Sequence, residues 1–214
     1  MIDNYRHKGL RKQLIDELRL KQIASEEVLQ AFDKVPRHFF LDKVFELQAY
    51  SNVAFPIGAD QTISHPSTVA YQTTLLELEK GMNVLEIGTG SGFQTCILSA
   101  MGMKVVSIER QKELYLKTKP LIESMGFRAK LYFGDGYEGK AIFAPYDRVL
   151  VTCGAPFIPQ ALVEQLKVGG MLVIPVGEGA VQKMIRITRI NETEFKEETF
   201  GDFSFVPMLE NKAK

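Results

Sequence analysis

Short apolar segments alternate with helical segments between residues 82 and 177, and this order restricts the possible fold more than any other feature. Strands that are buried on both faces are continuously apolar, and five segments have that character: MNVLEIG (82–88), KVVSIE (104–109), AKLYFGD (129–135), YDRVLVTC (146–153) and MLVIPVG (171–177). Helices are predicted between them at 91–101, 111–126 and 159–170. The alternation predicts an α/β fold with a mostly parallel, twisted sheet and helices on both faces.

The regions on either side of this alternation differ from it. Residues 8–34 show helical spacing, 41–62 are predicted to be irregular, and a helix is predicted over 66–78. MIRITRI (184–190) and the later FSFVPM region alternate, which indicates antiparallel strands, and the final ENKAK is expected to fray. We therefore expect one domain over 1–214, with a helical extension (1–78) on the substrate side and an α/β core (79–214) that binds the cofactor.

Composition excludes several classes of protein. The 214 residues carry 26 basic and 26 acidic side chains, so bulk charge does not favour a nucleic-acid partner. Two cysteines are too few for a disulfide framework or a zinc site, which suggests a reducing, cytoplasmic compartment and no metal. The charged N-terminus is unlike a secretory signal, and no uncharged apolar run reaches the ~18 residues that span a bilayer.

A glycine loop, LEIGTGSGF (85–93), follows the first strand of the alternation. Gly88, Gly90 and Gly92 allow a tight turn and a close approach of the backbone to a ligand at the N-terminus of the next helix. Glu109 ends the second strand about 20 residues later, where an acid can accept hydrogen bonds from both ribose hydroxyls of a nucleoside. A tight strand–helix turn without a ligand is the alternative.

The spacing of this loop is G-x-G-x-G, because Phe93 stands where a dinucleotide fingerprint has its third glycine. Glu86 lies just before the loop, and a carboxylate there suits a cationic sulfonium or ammonium group better than a pyrophosphate. The pattern therefore favours a nucleoside ligand without a pyrophosphate and disfavours a nicotinamide oxidoreductase.

Several segments, in this order and spacing, resemble the protein-L-isoaspartate (D-aspartate) O-methyltransferase family. These are VPRHFF (35–40), QTISHPSTVA (61–70), LEIGTGSGFQT (85–95), DRVLVTCGAP (147–156), LKVGGMLVIPVG (166–177) and FVPM (205–208). The resemblance implies a Rossmann-like class I methyltransferase fold with S-adenosyl-L-methionine as cofactor. It implies methylation of the abnormal carboxylate of L-isoaspartyl and D-aspartyl residues in damaged proteins, which begins repair through a succinimide.

The resemblance also implies roles for individual residues. The cofactor would be bound by Glu86, Gly88, Thr89, Gly90, Gly92, Glu109, Asp135, Gly136 and Thr152, with Asp135 and Gly136 at the adenine edge and Glu109 at the ribose. Ser64 would orient the substrate carboxylate at the reacting centre, with Thr62 and Ile63 beside it. Val206 in FVPM would hold the substrate backbone, or this segment is a simple core strand. Ser64 or Ser67 could instead cap the helix that starts near Pro66.

Two positions differ from the pattern of the family. His65 follows Ser64 where a small or amide side chain is usual, and the other histidines, His7 and His38, are distant in the sequence. We therefore interpret His65 as a partly exposed loop residue and His38 as structural. The second difference is Cys153-Gly154, which stands where small, alanine-like residues are usual. We interpret Cys153 as a small buried residue near the cofactor.

Two further functions are alternatives. A methyltransferase of the same fold could act on nucleic acid or a small molecule, but VTCGAPF lacks the N/D-P-P-aromatic motif expected of nucleic-acid enzymes. A nonenzymatic cofactor-binding scaffold is disfavoured because the TIS motif is intact.

The expected partners are isoaspartyl proteins and peptides, and the expected state is a monomer, although an N-terminal arm could swap onto another chain.

Overall fold

The structure is a computed structural model that describes residues 2–213. Two helices begin the chain, α1 (Tyr5–Leu20) and α2 (Glu26–Lys34). The Asn4 side chain accepts a hydrogen bond from the backbone N–H of His7, and the Ser25 side chain accepts one from Val28. Both caps satisfy N–H groups that have no partner within a helix, which fixes where each helix starts. Single turns of 3₁₀ helix follow at Arg37–Phe40 and Lys43–Phe45.

A small hairpin lies in the region predicted to be irregular. It consists of β1 (Phe55–Gly58) and β2 (Gln61–Ile63), which pair antiparallel with Phe55 opposite Ile63. Ala59 and Asp60 both have positive φ, at 50° and 55°, as the two-residue turn of a tight hairpin requires. The prediction of irregular structure over 41–62 is wrong here because this turn lacks the usual Asn-Gly or Asp-Gly signal.

The rest of the chain forms the α/β core after one connecting helix, α3 (Pro66–Leu75). Its elements are β3 (Asn83–Ile87), α4 (Phe93–Ala100), β4 (Lys104–Glu109), α5 (Lys112–Ser124), β5 (Ala129–Phe133), β6 (Tyr146–Val151), α6 (Gln160–Glu164), β7 (Leu166–Val176), β8 (Gln182–Arg189) and β9 (Phe195–Phe203). Pro66 occupies the first turn of α3, where its missing N–H costs nothing, and Pro120 lies inside α5 without ending it.

A seven-stranded sheet has the order β5-β4-β3-β6-β7-β8-β9. The strands from β5 to β7 are parallel, and β8 and β9 are antiparallel to their neighbours. The predicted mostly parallel sheet with antiparallel C-terminal strands is therefore confirmed. After β3 the chain continues to β4, towards one edge of the sheet, and after β6 it continues to β7, towards the other edge. The carboxyl ends of two neighbouring strands at such a switch point form a ligand crevice.

The helix predicted over 159–170 is wrong in length. Helix α6 covers only Gln160–Glu164, and β7 already begins at Leu166. Gly169 and Gly170, which suggested a helix end, lie inside β7. The pairing of β7 with β6 changes register between Tyr146 and Arg148, so the glycines belong to an irregular stretch of strand. Glycine is common at such bulges because it tolerates their backbone angles.

The C-terminal segment also differs from its prediction. Strand β9 ends at Phe203, and FVPM is not a strand: Pro207 forms only an isolated parallel bridge with Gly154. The expected frayed end is wrong for the described residues to 213. The backbone N–H of Asn211 donates to Asp135 Oδ2 at 2.6 Å, and that of Ala213 donates to the Arg110 carbonyl at 3.1 Å.

The N-terminal helices and the α/β core share one hydrophobic cluster. The rings of Phe32 and Phe40 both meet the ring of Phe93 at 5.5 Å between centroids, edge to face. Phe93 opens α4 directly after the glycine loop, so the extension is packed against the element that carries this loop. Within residues 2–213, no helix is both long and apolar enough to cross a membrane.

Candidate functional site

A pocket opens at the carboxyl ends of β3, β4 and β6, at the crevice that the topology predicts. One side is formed by the glycine loop, Glu109 and Thr152, which we call the glycine wall. Another part of its lining is Thr62, Ile63 and Ser64, at and just after the end of β2, which we call the TIS wall. The structure thus brings together segments that are distant in the sequence.

Glycine is required at two positions of the loop for steric reasons. Gly88 has φ of +94°, and a Cβ there would lie 2.6 Å from Thr152 Oγ1. Gly92 has φ of +88°, and a Cβ there would lie 2.7 Å from Thr118 Cγ2. Left-handed backbone and contacts this close exclude any side chain. The glycines that suggested a ligand loop in the sequence are therefore needed to place its backbone against the sheet.

Threonine hydroxyls hold the loop from behind. Thr152 Oγ1 is 2.9 Å from the Ile87 carbonyl and 2.7 Å from the Gly88 carbonyl, and Thr118 Oγ1 donates to the Gly90 carbonyl at 2.7 Å. The Thr89 hydroxyl is 2.6 Å from that of Ser107 within the sheet. Thr89 and Thr152 both line the pocket, but their hydroxyls are engaged with the protein. Thr89 is thus placed to meet a ligand by its backbone or methyl group.

Glu109 is the buried acid of the glycine wall. Its Oε2 accepts a hydrogen bond from Gly90 N at 2.7 Å, and its Oε1 accepts one from Gln111 N at 2.7 Å. Burial raises the pKa of Glu109, although these backbone N–H groups act in the opposite direction. Each carboxylate oxygen has a second lone pair, so the group can still accept hydrogen bonds from two hydroxyls of a ligand.

Glu86 lies behind the glycine loop and is not among the residues that line the pocket. Its side chain is fully buried, and Thr95 Oγ1 donates to its Oε2 at 2.5 Å. Burial raises the pKa of Glu86 to about 7, and Oε1 has no hydrogen-bond partner among residues 2–213. The Glu86 side chain, which was expected to contact the cofactor, therefore lies against α4 and outside the lining of the pocket.

Asp135 and Gly136 follow β5, and only Gly136 lines the pocket. Asp135 Oδ1 accepts a hydrogen bond from Tyr137 N at 2.9 Å, and Oδ2 accepts the one from Asn211 N. A Cβ on Gly136 would lie 2.4 Å from Ile87 Cγ2, so this position requires glycine for close packing against β3. The tail of the chain therefore shares the carboxylate expected at the adenine edge.

Ser64 is the polar residue of the TIS wall. Its carbonyl accepts a hydrogen bond from Arg37 Nη2 at 2.9 Å, whereas its hydroxyl has no partner among residues 2–213. Neither Ser64 nor Ser67 caps α3, since the cap residue is His65 and no side chain accepts from the first turn. Ser67 N instead donates to Asn52 Oδ1 at 2.9 Å. The capping alternative is therefore wrong, and the Ser64 hydroxyl is free to meet a ligand.

Val206 completes the pocket from the C-terminal segment. Its carbonyl accepts from Gly154 N at 2.8 Å, and Met208 N donates to the Gly154 carbonyl at 2.7 Å. The N–H of Val206 has no partner within residues 2–213. This segment is therefore fastened to Gly154 in the loop after β6, and the Val206 N–H remains a donor without a partner among the described residues.

The histidines lie outside the pocket. His65 is exposed, while His7 and His38, although distant in sequence, stack with ring centroids 3.9 Å apart. These two and Asp3 have potential metal-ligand atoms within 4.8 Å of one another. However, Glu46, Tyr50 and backbone groups already engage the ring nitrogens, and Arg11 donates two hydrogen bonds to Asp3. The group fastens α1 to residues 38–50.

Cys153 lines the pocket beside Thr152. Burial raises the pKa of its thiol to about 12, so the sulfur is protonated at neutral pH and is a poor nucleophile. Cys96 is buried in α4, and burial raises its pKa as well.

Sequence reasoning missed three buried polar residues around the pocket. Gln72 on α3 and Gln94 on α4 line it, and Gln94 Oε1 has no hydrogen-bond partner among the described residues. Arg37 supports the TIS wall from behind. A polar residue inside an apolar helix face, or an arginine inside VPRHFF, is the signal that could have identified them.

Comparison with known proteins agrees with this geometry. The sequence profile of the family described as protein-L-isoaspartate(D-aspartate) O-methyltransferase (PCMT) matches residues 9–213. The chain is 57% identical over 209 residues to a protein-L-isoaspartate O-methyltransferase of Cytophaga hutchinsonii, covering 98% of this chain and 95% of that one. It is 56% identical over 213 residues to the protein of the same name from Flavobacterium psychrophilum, covering 99% and 100%.

Solved structures have the same fold. One protein-L-isoaspartate O-methyltransferase superposes with a TM-score of 0.86 at 28% identity, over 94% of this chain and 66% of that chain. A putative enzyme of that name from Plasmodium falciparum, solved with S-adenosyl-L-homocysteine, gives a TM-score of 0.79 at 24% identity, over 94% and 99%. Because the profile and both relatives cover nearly all of the sequence, the chain belongs to the protein-L-isoaspartate(D-aspartate) O-methyltransferase family.

Proposed function

We propose that this chain transfers the methyl group of S-adenosylmethionine to the abnormal carboxylate of L-isoaspartyl residues in damaged proteins. The observation that carries the proposal is one pocket that is lined both by the glycine wall with Glu109 and by the TIS wall, whose Ser64 hydroxyl has no partner among residues 2–213. The family and the full-length relatives named for this reaction support the same activity.

The residues of the glycine wall fit the cofactor. Glu109 can accept the ribose hydroxyls, because both of its oxygens keep a free lone pair while backbone N–H groups fix its position. Gly88 and Gly90 line the pocket with backbone that carries no side chain, and Thr89 lies between them. Gly92 does not line the pocket, but its backbone angles let the loop turn into α4. Gly136, with Asp135 beside it, would contact the adenine edge, and Thr152 would support the loop. When bound, S-adenosylmethionine supplies an electrophilic methyl group on a positively charged sulfur.

The residues of the TIS wall would position the methyl acceptor. A carboxylate is ionised at neutral pH, since its reference pKa is near 4, so the reaction needs neither a base nor a covalent intermediate. It needs alignment of the carboxylate with the methyl group and exclusion of water. The Ser64 hydroxyl would donate to the carboxylate, Thr62 and Ile63 would flank it, and the free N–H of Val206 would hold the peptide backbone.

The product is a methyl ester. Without further catalysis, the backbone nitrogen of the following residue attacks the ester carbonyl and displaces methanol to form a succinimide, which water reopens in part to normal aspartate. A D-aspartyl residue, which the name of the family includes, would be a second acceptor. The reaction would therefore begin the repair of aged proteins.

We propose further that the chain is a monomeric single domain that works in a reducing compartment. The shared hydrophobic cluster between the N-terminal extension and the core supports a single domain. Two unpaired cysteines, Cys96 and Cys153, support a reducing compartment. Size-exclusion chromatography with light scattering tests the first point, and a mass near twice 24.1 kDa would contradict it.

The decisive assay supplies S-adenosylmethionine labelled on its methyl group and paired peptides that differ only in Asp or isoAsp. We expect base-labile label on the isoAsp peptide and none on the Asp peptide. Equal labelling of the two peptides, or no labelling of the isoAsp peptide, would overturn the proposal. A third peptide with D-Asp measures the second acceptor.

A further inference from the structure

Arg37 is a buried cation without an acidic partner. Only 1% of its surface is exposed, and no carboxylate of residues 2–213 forms an ion pair with it. Burial lowers the pKa of Arg37 to about 9, which still leaves the guanidinium charged at neutral pH. A buried charge is costly unless it is paired, so an unpaired guanidinium next to a pocket requires an explanation.

Arg37 joins three segments of the N-terminal extension through their carbonyl groups. Its Nε donates to Ala49 at 2.9 Å, and its Nη2 donates to Val53 at 3.3 Å and to Ser64 at 2.9 Å. Its Nη1 has no hydrogen-bond partner within the described part of the chain. The guanidinium also lies 5.0 Å from the centre of the Phe93 ring, which lines the pocket.

Another buried arginine, Arg148, provides a contrast. It also donates to three carbonyls, those of Leu76, Asp147 and Glu77, and only 8% of it is exposed. Unlike Arg37, Arg148 interacts electrostatically with the carboxylates of Asp147, Glu77 and Glu79, which favour its charged form. It lies at the start of β6, away from the residues that line the pocket. The difference is that the Arg37 charge behind Ser64 has no counterion among residues 2–213.

We propose that Arg37 is a positioning residue for the methyl acceptor, and that its unpaired charge gives the pocket its preference for an anionic side chain over a neutral one. This inference rests on the proposed function. Arg37 acts through Ser64, whose carbonyl it holds, while Ser64 lines the pocket and its hydroxyl has no partner among residues 2–213. The negative carboxylate of the bound substrate supplies the charge that the free enzyme lacks.

The proposal has a consequence for product release. The acceptor is an anion and the product is a neutral ester, so a fixed positive charge strengthens binding of the substrate more than binding of the product. The same charge withdraws some nucleophilicity from the carboxylate. Loss of Arg37 is therefore expected to raise KM through the charge and to lower kcat only as far as Ser64 is displaced.

The test measures binding of two peptides to the full chain in the presence of S-adenosylhomocysteine, which prevents turnover. One peptide carries isoaspartate, and the other carries isoasparagine, its neutral amide. In Arg37→Met, we expect the preference for the acid, the ratio of the two Kd values, to fall by about tenfold or more. In Arg37→Lys, which keeps the charge, the ratio stays within about threefold of the wild-type ratio.

Arg148→Met is the matched control, because it also removes a buried arginine from three carbonyls. We expect it to lower the melting temperature as Arg37→Met does while leaving the acid preference unchanged. An unchanged ratio in Arg37→Met, or an equal fall in Arg148→Met, would overturn the inference. If Arg37→Met does not fold, the Kd ratio of Arg37→Lys is the test by itself. A folded Arg37→Lys protein that has lost the preference for the acid would contradict the role of the charge. Failure of the proposed function is distinguishable, because it would appear as absent methylation of isoAsp by the wild-type protein.

Discussion

The glycine wall and the TIS wall of the pocket differ in how their polar groups are held. On the glycine wall, Glu109 accepts two backbone hydrogen bonds, and Thr118 and Thr152 fix the loop from behind. On the TIS wall, the Ser64 hydroxyl has no partner among residues 2–213, and the segment is held through its carbonyl by Arg37. The first wall is set before any ligand binds, whereas the second keeps its donor for the substrate.

Because of this difference, substitutions in the two walls are expected to change different measured quantities. Changes to a preset wall disturb the geometry that binds the cofactor, so they should appear in cofactor affinity. Changes to the TIS wall remove one contact to the acceptor and should appear in turnover. Substitutions on each wall therefore test whether cofactor binding and acceptor positioning are separate.

The largest effect is expected for Gly88→Ala. The new Cβ would combine left-handed strain with a 2.6 Å contact to Thr152 Oγ1, so we expect S-adenosylmethionine to bind about a thousandfold more weakly in calorimetry. Gly126→Ala is the control, because its φ of +77° gives similar strain but its Cβ meets nothing within 4 Å. Wild-type affinity in Gly88→Ala would show that the loop is not preset.

The next effect in size is expected for Glu86, which lies behind the glycine loop, and concerns how the free energy of unfolding depends on pH. Its pKa in the folded protein is raised to about 7 from a reference value of 4.5, so the folded state binds the proton more tightly than the unfolded state. The contribution of Glu86 to stability is therefore present at low pH and is lost as the pH rises from 4.5 to about 7.

Glu86→Gln removes this dependence. The free energy of unfolding of the variant, relative to the wild type, should rise by up to about 3 kcal/mol across that pH range. Urea denaturation at pH 5, 6, 7 and 8 measures it. A difference between the two proteins that is constant with pH would contradict the role of the buried carboxyl group.

Glu109→Gln is expected to weaken cofactor binding by about thirtyfold, or about 2 kcal/mol, because an amide cannot accept from both backbone N–H groups and two hydroxyls. The KM for the isoAsp peptide should change little. Calorimetry with S-adenosylhomocysteine measures the first quantity. Glu123→Gln, on the exposed side of α5, is the control for loss of a charge. An increase confined to the peptide KM would reverse the assignment of the walls.

Ser64→Ala gives the smallest effect, with kcat lowered about tenfold by the loss of one hydrogen bond to the carboxylate and cofactor affinity unchanged. Steady-state kinetics and calorimetry separate the two quantities. Ser67→Ala is the control, because Ser67 lies on the same segment but does not line the pocket. Full turnover in Ser64→Ala would remove its direct role in positioning the acceptor.

The core of the fold could be predicted from the sequence because its signals are local. Continuous apolar strands such as MNVLEIG and the glycines at 88, 90 and 92 specify parallel strands and a tight loop without knowledge of distant contacts. The β1–β2 hairpin and the start of β7 could not be predicted in this way. Ala59 adopts positive φ because of its surroundings, and Gly169 and Gly170 fit a bulge as well as a helix end.

The pocket could be predicted less completely than the fold. Glu109 and Ser64 were identified because they end a strand or lie in a motif, and both line the pocket. Glu86, two residues before Gly88, is buried against Thr95 of α4 and does not line the pocket. Arg37 was missed since its importance depends on carbonyls up to 27 residues away, which no spacing rule encodes.

The pocket also takes its walls from segments spread between residues 61 and 209. During synthesis on the ribosome, the glycine loop (85–93) is made when less than half of the 214 residues exist, but Val206 and Met208 come more than a hundred residues later. At about 5–20 residues per second, the incomplete site persists for about 6 to 23 seconds. A nascent chain therefore cannot gain stability from the finished cofactor site until nearly all of it has emerged, and chaperones have that interval to protect its exposed strands.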